Sequence, residues 1–330
     1  MKRFKTLIVL AVVTLLLAAC AGPAGPAGPE GPQGPPGPEG PAGMAGEGGT
    51  ADMSCSACHN DTDIITAKQF VWAESAHGVG EAAAYAGTRA SCAGCHSGTA
   101  FQAMAAAGQT PGDVEAGDAE PTRQDCRACH QIHTTYSGAD WALTTTDPVV
   151  MYAFEGVTYD GGTGNLCANC HQPRRQMEAA DGVVNVSSTH WGPHHGPQTT
   201  VLLGVGGVGA EGSASGHYSM VENTCVSCHL PGHNFEPNLA ACTECHADAE
   251  DFDINGVQSE VEALLEELEG YLLEAGLWSE EGHPVVGEYP EDQAGALWNY
   301  ILIAVEDSSL GVHNPGYVID LLEYSISVFE

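Results

Sequence analysis

Six copies of Cys-x-x-Cys-His recur along the chain, and they account for 12 of its 13 cysteines. The cysteines of these motifs are Cys55, Cys58, Cys92, Cys95, Cys126, Cys129, Cys167, Cys170, Cys225, Cys228, Cys242 and Cys245. A histidine follows the second cysteine every time, as His59, His96, His130, His171, His229 and His246. In this pattern two thiols can form thioether bonds with the vinyl groups of a haem, while the histidine binds the iron from one side. Disulfide frameworks and zinc ribbons do not need that adjacent histidine, so the motifs predict six covalently bound haem c groups.

The other histidines are candidates for the ligand on the opposite face of each iron. Eight of them are predicted distal ligands: His77, His133, His190, His194, His195, His217, His233 and His313. His133 and His233 each follow a motif histidine too closely to reach the opposite face of the same iron, so each should bind a neighbouring haem. At least one of the three histidines between positions 190 and 195 should be a ligand. His283 lies in a loop rich in Gly and Pro and is the best candidate for a histidine without this role. A hydrogen bond to a haem propionate is the alternative role for each candidate.

The spacing of the motifs predicts a body packed around haem. All six motifs lie between Cys55 and His246, in a region rich in Ala, Gly, Ser and Thr. Such a region has few large apolar side chains, so the macrocycles should form the core, wrapped by short helices and loops. We therefore expect a mainly α fold with much irregular loop, in which 51–250 form a hexahaem domain. Residues 251–330 should form a helical segment that packs on this domain as a lid.

Helical periodicity replaces the motifs in this C-terminal segment. Apolar residues recur at helical spacing over 257–275, and Gly276 is a natural stop. A second helix is expected over 291–307, and a third over 315–329 with Asn314 as its N-cap. The second helix should turn four side chains inward, namely Leu297, Trp298, Ile301 and Val305. We favour a lid over a dedicated oligomerisation coil.

The start of the first of these helices also fits the spacing of a calcium-binding loop. The predicted ligands are Asp251, Asp253, Asn255 and Glu262, with Gly256 at the sixth position of the loop. Gln258 occupies a position that is usually aliphatic in such loops, and acidic residues are common helix caps in so acidic a chain. Calcium binding and helix capping are therefore both open interpretations of this segment.

The negative net charge of the chain disfavours two classes of partner. The chain has nine Lys or Arg against 43 Asp or Glu, a formal net charge of −34. Such a surface disfavours nucleic acid and anionic lipid. We therefore expect other redox proteins, or copies of this chain, as partners, and no nucleic acid.

The N-terminal residues predict export and a lipid anchor. Residues 1–19 have a basic start and an apolar run too short to span a membrane, as in a secretory signal. Leu-Ala-Ala-Cys before and including Cys20 resembles the lipobox of bacterial lipoproteins, in which the cysteine is lipidated. Ordinary signal cleavage beside an incidental cysteine is the alternative. We expect an outer-membrane or cell-surface lipoprotein, held to the membrane through Cys20.

A collagen-like segment follows the lipidation site. Within 20–50, glycine recurs at every third position, with Pro or Ala filling most of the others. An extended polyproline-II stalk is favoured over a short triple helix that would make the protein a trimer, because the repeats are few.

Four segments resemble bacterial and archaeal multihaem c-type cytochromes, a group that includes surface cytochromes of extracellular electron transfer and, more distantly, the pentahaem nitrite reductases. They are NLCANCHQPR (165–174), WGPHHGPQTTVLLG (191–204), CVSCHLPGHNFEPNLAACTECH (225–246) and GVHNPGYVIDLL (311–322). The resemblance implies that His77 and His313 are distal haem ligands. It also implies electron transport, since the nitrite reductases attach their catalytic haem through a motif that ends in lysine, and none of the six motifs here does.

Two functions remain open at this point. The first is electron transfer by a surface hexahaem cytochrome with two histidines on every iron, which some relatives carry out as polymers in extracellular filaments. The second is a reductase for nitrite, hydroxylamine or a similar compound, which needs one iron with an open position. The spare histidines favour the electron carrier over the enzyme.

Overall fold

Short helices joined by loops make up the motif-bearing part of the chain. A computed structural model describes residues 63–194 and 196–330; the segments 1–19 and 20–50, the first motif with Cys55, Cys58 and His59, and His195 lie outside the described residues. The helices of this part are α1 (Asp63–Glu74), α2 (Ala76–Val79), α3 (Ala82–Ala86), α4 (Ala90–His96), α5 (Gly98–Ala106), α6 (Cys126–Cys129), α7 (Asn165–Ala168), α8 (Gln198–Leu203), α9 (Gly216–Met220), α10 (Cys225–His229) and α11 (Leu239–Thr243). Turns of 3₁₀-helix cover Pro111–Asp113, Gly138–Trp141, Gly162–Gly164, Pro231–His233 and Ile254–Gly256.

Side-chain caps start several of these short helices where the chain carries a motif or a histidine. The Ser75 hydroxyl accepts a hydrogen bond from the Gly78 amide at the start of α2. Asp125 does the same for α6 through the Arg127 amide, and Ser215 for α9 through the Tyr218 amide. Such caps satisfy amides that have no partner within the helix, which matters most in a helix of one or two turns.

Longer helices form the C-terminal segment. They are α12 (Val257–Glu274), α13 (Glu291–Tyr300), which continues as a π-helix over Ile301–Asp307, and α14 (Pro315–Ser327). The three predicted helical ranges are therefore helical. Asn314 precedes α14, but its side chain does not cap the helix; its amide donates to the carbonyl oxygens of Val201 and Ser213 instead.

The described residues form two small antiparallel sheets. Strand β1 (Val149–Val150) pairs with β2 (Thr158–Tyr159). Strand β3 (Val183–Val186) pairs with β4 (Gly287–Pro290), with Val183 opposite Pro290. Since β3 belongs to the motif-bearing part and β4 to the C-terminal segment, this second sheet joins the two.

The largest apolar cluster lies between the C-terminal helices and the segment around β3. Its members include Val184, Val186, Trp191, Val201, Leu265, Leu268, Leu272, Leu297, Trp298, Leu302, Val318, Leu321 and Leu322, all buried. Two smaller clusters lie in the motif-bearing part, around Tyr159 and around Met104. The described part is thus mainly α, with its largest apolar cluster at the C-terminal helices and only small clusters near the motifs.

One side chain of the second C-terminal helix departs from its predicted orientation. Leu297, Trp298 and Ile301 are buried as predicted, but Val305 is 48 % exposed. It lies in the π-helix, where each turn is wider than an α-turn, so the side chains that follow rotate away from the face an α-helix would present.

None of the helices within the described ranges has both the length and the apolar character needed to cross a membrane.

Candidate haem-binding sites

A single turn of helix brings the two thiols and the histidine of a motif together. In the motifs at α6, α7 and α11 the amide of the histidine donates to the carbonyl of the first cysteine, at 2.8–2.9 Å for His130, His171 and His246. Residues three and four apart lie on the same side of a helix. The geometry therefore presents both thiols and the imidazole to one side, as a covalently attached haem requires.

Each described motif histidine faces a second histidine from elsewhere in the chain. The five pairs are His96 with His194, His130 with His233, His171 with His77, His229 with His313 and His246 with His217. Their ring centres are 6.1–6.3 Å apart. A bond between imidazole and a metal is about 2 Å long, so two imidazoles on opposite sides of one metal have ring centres roughly 6 Å apart. All five pairs have the spacing that one metal atom between them requires.

The second histidine of each pair comes from an element distant in sequence. His77 lies in α2, His217 in α9 and His233 in the 3₁₀ turn after α10. His194 and His313 lie in loops, the latter just before α14. His233 lies opposite His130 and not opposite His229 or His246, the motif histidines on either side of it in the sequence.

Three candidate distal histidines have left-handed backbones. The φ angles are +66° at His133, +76° at His194 and +70° at His233. This conformation costs a residue other than glycine about 1–2 kcal/mol. It persists where the surrounding structure fixes the residue, and it is enriched at functional sites.

Hydrogen bonds at Nδ1 orient four of the paired imidazoles. The Nδ1 atoms of His130 and His217 contact the carbonyl oxygens of Trp141 and Val312, at 2.8 and 2.7 Å. Nδ1 of His171 contacts Oε1 of Gln198 at 3.3 Å. A proton on Nδ1 that points to such an acceptor leaves the Nε2 lone pair for a metal.

The fourth of these bonds goes to a carboxylate. Nδ1 of His313 lies 2.7 Å from Oδ1 of Asp307, whose side chain is fully buried. Burial alone would lower the pKa of His313, but the Asp307 charge and this hydrogen bond outweigh it and raise the pKa.

Burial lowers the pKa of three other histidines of the pairs. The pKa of His77 falls to about 4, through burial and then through the proximity of His171. Burial also lowers the pKa of His229, with His313 adding to the effect, and that of His233, with Lys68 adding to it. These imidazoles are therefore neutral near pH 7, the form that binds a metal.

Thiols of different motifs approach one another. The Cys95 and Cys170 thiols interact, which lowers the pKa of Cys95 and raises that of Cys170. The Cys167 and Cys225 thiols interact likewise, and the pKa of Cys225 falls to about 5.

Weaker electrostatic interactions also connect thiols of different motifs. The charge of Cys129 adds to the raised pKa of Cys167 and of Cys170. Burial raises the pKa of Cys228, and the charge of Cys242 adds to this rise. The motif at 167–171 thus adjoins those at 92–96, 126–130 and 225–229, and the last of these adjoins the motif at 242–246.

Two predicted distal ligands have other neighbours in the structure. The ring of His190 lies 6.2 Å from that of His283, and neither histidine belongs to a motif. The ring of His133 stacks on Tyr136 at 5.5 Å, and its amide donates to Asp140. Sequence patterns did not distinguish His194 from its neighbours, because all three histidines share one loop-like context.

The predicted calcium ligands do not converge in the structure. Both oxygens of Asp253 accept hydrogen bonds from the first turn of α12, from the Gln258 and Ser259 amides and the Ser259 hydroxyl. Asp251 accepts from the Asp253 amide. Across residues 63–194 and 196–330, no three His, Cys, Asp or Glu side chains form a group that could hold a metal ion. Calcium binding through Asp251, Asp253, Asn255 and Glu262 stays a prediction, and the geometry present is that of a helix cap.

Comparisons with known proteins give one distant likeness. No family model matches the chain, and no curated protein sequence matches it. Among solved structures, the outer cell wall cytochrome OcwA superposes with a TM-score of 0.47 at 19% identity. The alignment covers 82% of this chain and 49% of that one, so the chain spans about half the length of OcwA. This likeness is too distant to assign a function.

Proposed function

We propose that this protein is an electron carrier: a c-type cytochrome with six covalently bound haems, each held by two histidines. The observation that supports it best is the set of five histidine pairs with ring centres 6.1–6.3 Å apart. Each pair joins a histidine of a haem-attachment motif to one that lies outside the motifs. The spacing, the lowered pKa values of His77, His229 and His233 and the adjacent thiols all fit haem c.

The ligand assignments follow from these pairs. His96, His130, His171, His229 and His246 would bind on the motif side, and His194, His233, His77, His313 and His217 on the other side. The haem of the first motif, Cys55 to His59, lies outside the described residues. We assign His133 to it, because His133 cannot reach the iron of the neighbouring His130 and shares with His233 a left-handed backbone just after a motif.

Two histidines on an iron leave no position for a substrate. Bound haem would supply one-electron chemistry, the exchange between ferric and ferrous iron. The chain's own residues would hold the ring through thioethers, fix the imidazoles through their Nδ1 hydrogen bonds and exclude other ligands. These roles fit electron transfer better than reduction of nitrite or hydroxylamine, which needs an open position on one iron.

The approach of thiols from different motifs supports transfer between the sites. Haem c is attached through such thiols, so motifs whose thiols interact would hold their haems side by side. The motif at 167–171 adjoins three others. We propose that its haem is the junction of the network, with the site at 225–229 leading on to that at 242–246.

We propose the cell surface as the place of this activity, with Cys20 lipidated and 20–50 acting as a stalk. The partners would be other redox proteins or copies of the same chain, in keeping with a net charge of −34 that disfavours nucleic acid. Imaging of the purified protein would show whether it assembles into filaments or acts as single molecules.

Spectroscopy of the holoprotein tests the proposal. We expect six haems per chain by the pyridine haemochrome assay and a wholly low-spin electron paramagnetic resonance (EPR) spectrum in the oxidised state. A high-spin ferric signal of one haem equivalent, accompanied by nitrite or hydroxylamine turnover, would establish the reductase instead.

A further inference from the structure

The hydrogen bond at Nδ1 of His313 differs in kind from those described above at His130, His171 and His217. Those of His130 and His217 go to neutral backbone carbonyls, and that of His171 goes to a neutral amide. That of His313 goes to the carboxylate of Asp307 at 2.7 Å. A carboxylate accepts the Nδ1 proton more strongly than a carbonyl and gives the imidazole more anionic character.

Hydrogen bonds to both carboxylate oxygens hold Asp307 in place. Oδ1 accepts from His313, while Oδ2 accepts from the hydroxyl of Ser309. Its side chain is fully buried, so water does not compete for either oxygen. It is the last residue of the π-helix Ile301–Asp307, and the chain turns through a left-handed Ser308 directly after it. Single π turns are rare and occur often at functional sites.

No basic side chain from the second half of the sequence offsets this charge. The sequence has no Lys or Arg after Arg175, although Asp and Glu continue to the C-terminus. Asp307, His313 and the motif at 225–229 all belong to this part. The cations of the described residues come from positions 68–175, near the motifs at 92–96, 126–130 and 167–171.

We infer that Asp307 is a positioning residue that lowers the reduction potential of the haem held by Cys225, Cys228, His229 and His313 below those of the haems at His130, His171 and His246. The inference rests on the proposed function. A ligand with anionic character stabilises ferric iron, which carries the greater positive charge, over ferrous iron. This haem is therefore reduced after the haems at His130, His171 and His246.

The test is a redox titration of holoprotein variants, followed by absorbance and by EPR. Asp307→Asn keeps the shape of the side chain and removes its charge. We expect one midpoint potential to rise by about 59 mV or more, which corresponds to a tenfold change in the one-electron equilibrium constant. The haem count and the low-spin state should stay unchanged. Asp307→Glu, which restores a carboxylate, should return the midpoint towards the wild-type value. Asp320→Asn, which removes an exposed charge from α14 without touching His313, should leave it in place.

If the Asp307→Asn variant does not bind its haems, the wild-type protein provides a second test. The imidazole planes of His229 and His313 are tilted by 43°, between the stacked pair at 18° and the three pairs at 72–82°. The ferric signal of this haem should therefore be intermediate, and on reduction it should disappear after the signal of the haem at His130 and His233. An intermediate signal that disappears before that signal, or an Asp307→Asn protein with six low-spin haems and unshifted midpoints, would overturn the inference and leave the proposed function intact. A high-spin haem in the wild type would instead count against the proposed function itself.

Discussion

The imidazole ring of His130 lies nearly parallel to that of His233, with 18° between the ring planes and 6.1 Å between the ring centres. The planes of His171 and His77 are, by contrast, almost perpendicular, at 82°. The pairs at His96 and at His246 have angles of 75° and 72°. These angles describe ligand orientation at the proposed irons and lead to a spectroscopic prediction.

The ferric haems should give two kinds of low-spin EPR signal. Two iron d orbitals can interact with the π electrons of the imidazoles. Parallel imidazoles both interact with the same one of these orbitals, which separates the two orbitals in energy and gives a rhombic spectrum. Perpendicular imidazoles leave the two orbitals close in energy and give a signal with a large maximum g value. We expect the His130–His233 haem to be rhombic and the three near-perpendicular pairs to give the second kind. Replacing His233 with Ala should remove a rhombic component; loss of a large-g component instead would mean that His233 serves another iron.

Among the histidines at 190–195, His194 should be the ligand. Its ring faces His96 with 6.3 Å between ring centres, whereas His190 faces the non-motif His283. His194→Ala should convert one low-spin haem to high spin, because one iron loses its second histidine, and magnetic circular dichroism can count both states. His190→Ala is the matched control and should keep every haem low-spin. High-spin haem in the His190 variant alone would reverse the assignment.

The C-terminal helices should determine the stability of the body as a whole. Leu268 in α12 is fully buried in the large apolar cluster, while Leu273 in the same helix is 39% exposed. Leu268→Ala should lower the free energy of unfolding by about 2–5 kcal/mol. Leu273→Ala should change it by less than about 0.5 kcal/mol. Chemical denaturation followed by circular dichroism and by haem absorbance measures both, and equal effects of the two substitutions would contradict this packing.

The response of thermal stability to calcium decides between a helix cap and a calcium loop at Asp253. The Asp253 carboxylate already accepts hydrogen bonds from the first turn of α12, so its substitution should destabilise the helix start whether or not calcium is present. We expect the midpoint of thermal unfolding to fall in Asp253→Ala, and to fall less in Asp248→Ala, an exposed control. A rise of the wild-type midpoint with added calcium that Asp253→Ala abolishes would support the calcium loop.

Local sequence patterns predicted helices much better than they predicted which histidines lie opposite one another. The helices at 257–274 and 315–327 follow from apolar periodicity and from Gly and Pro at their ends, which are local signals. The exposure of Val305 escaped prediction because a π turn leaves no mark in a helical apolar pattern. The motifs themselves, with their thiols and histidines, depend only on neighbouring residues.

The pairing of histidines is a property of the tertiary fold. His96 and His194, or His229 and His313, lie far apart in the chain, and no spacing rule connects them. His233 is the partial exception, because its position just after His229 already excludes the nearest iron. Asp307 was missed altogether, since a single Asp six residues before a histidine is not a pattern in so acidic a sequence.

In the holoprotein one iron should lie between the two rings of each histidine pair. A crystal structure of the holoprotein with anomalous data collected at the iron edge would locate these atoms. We predict five iron peaks midway between His96 and His194, His130 and His233, His171 and His77, His229 and His313, and His246 and His217, each bonded to both rings. An iron bonded to its motif histidine alone, with the paired histidine turned away, would contradict the account.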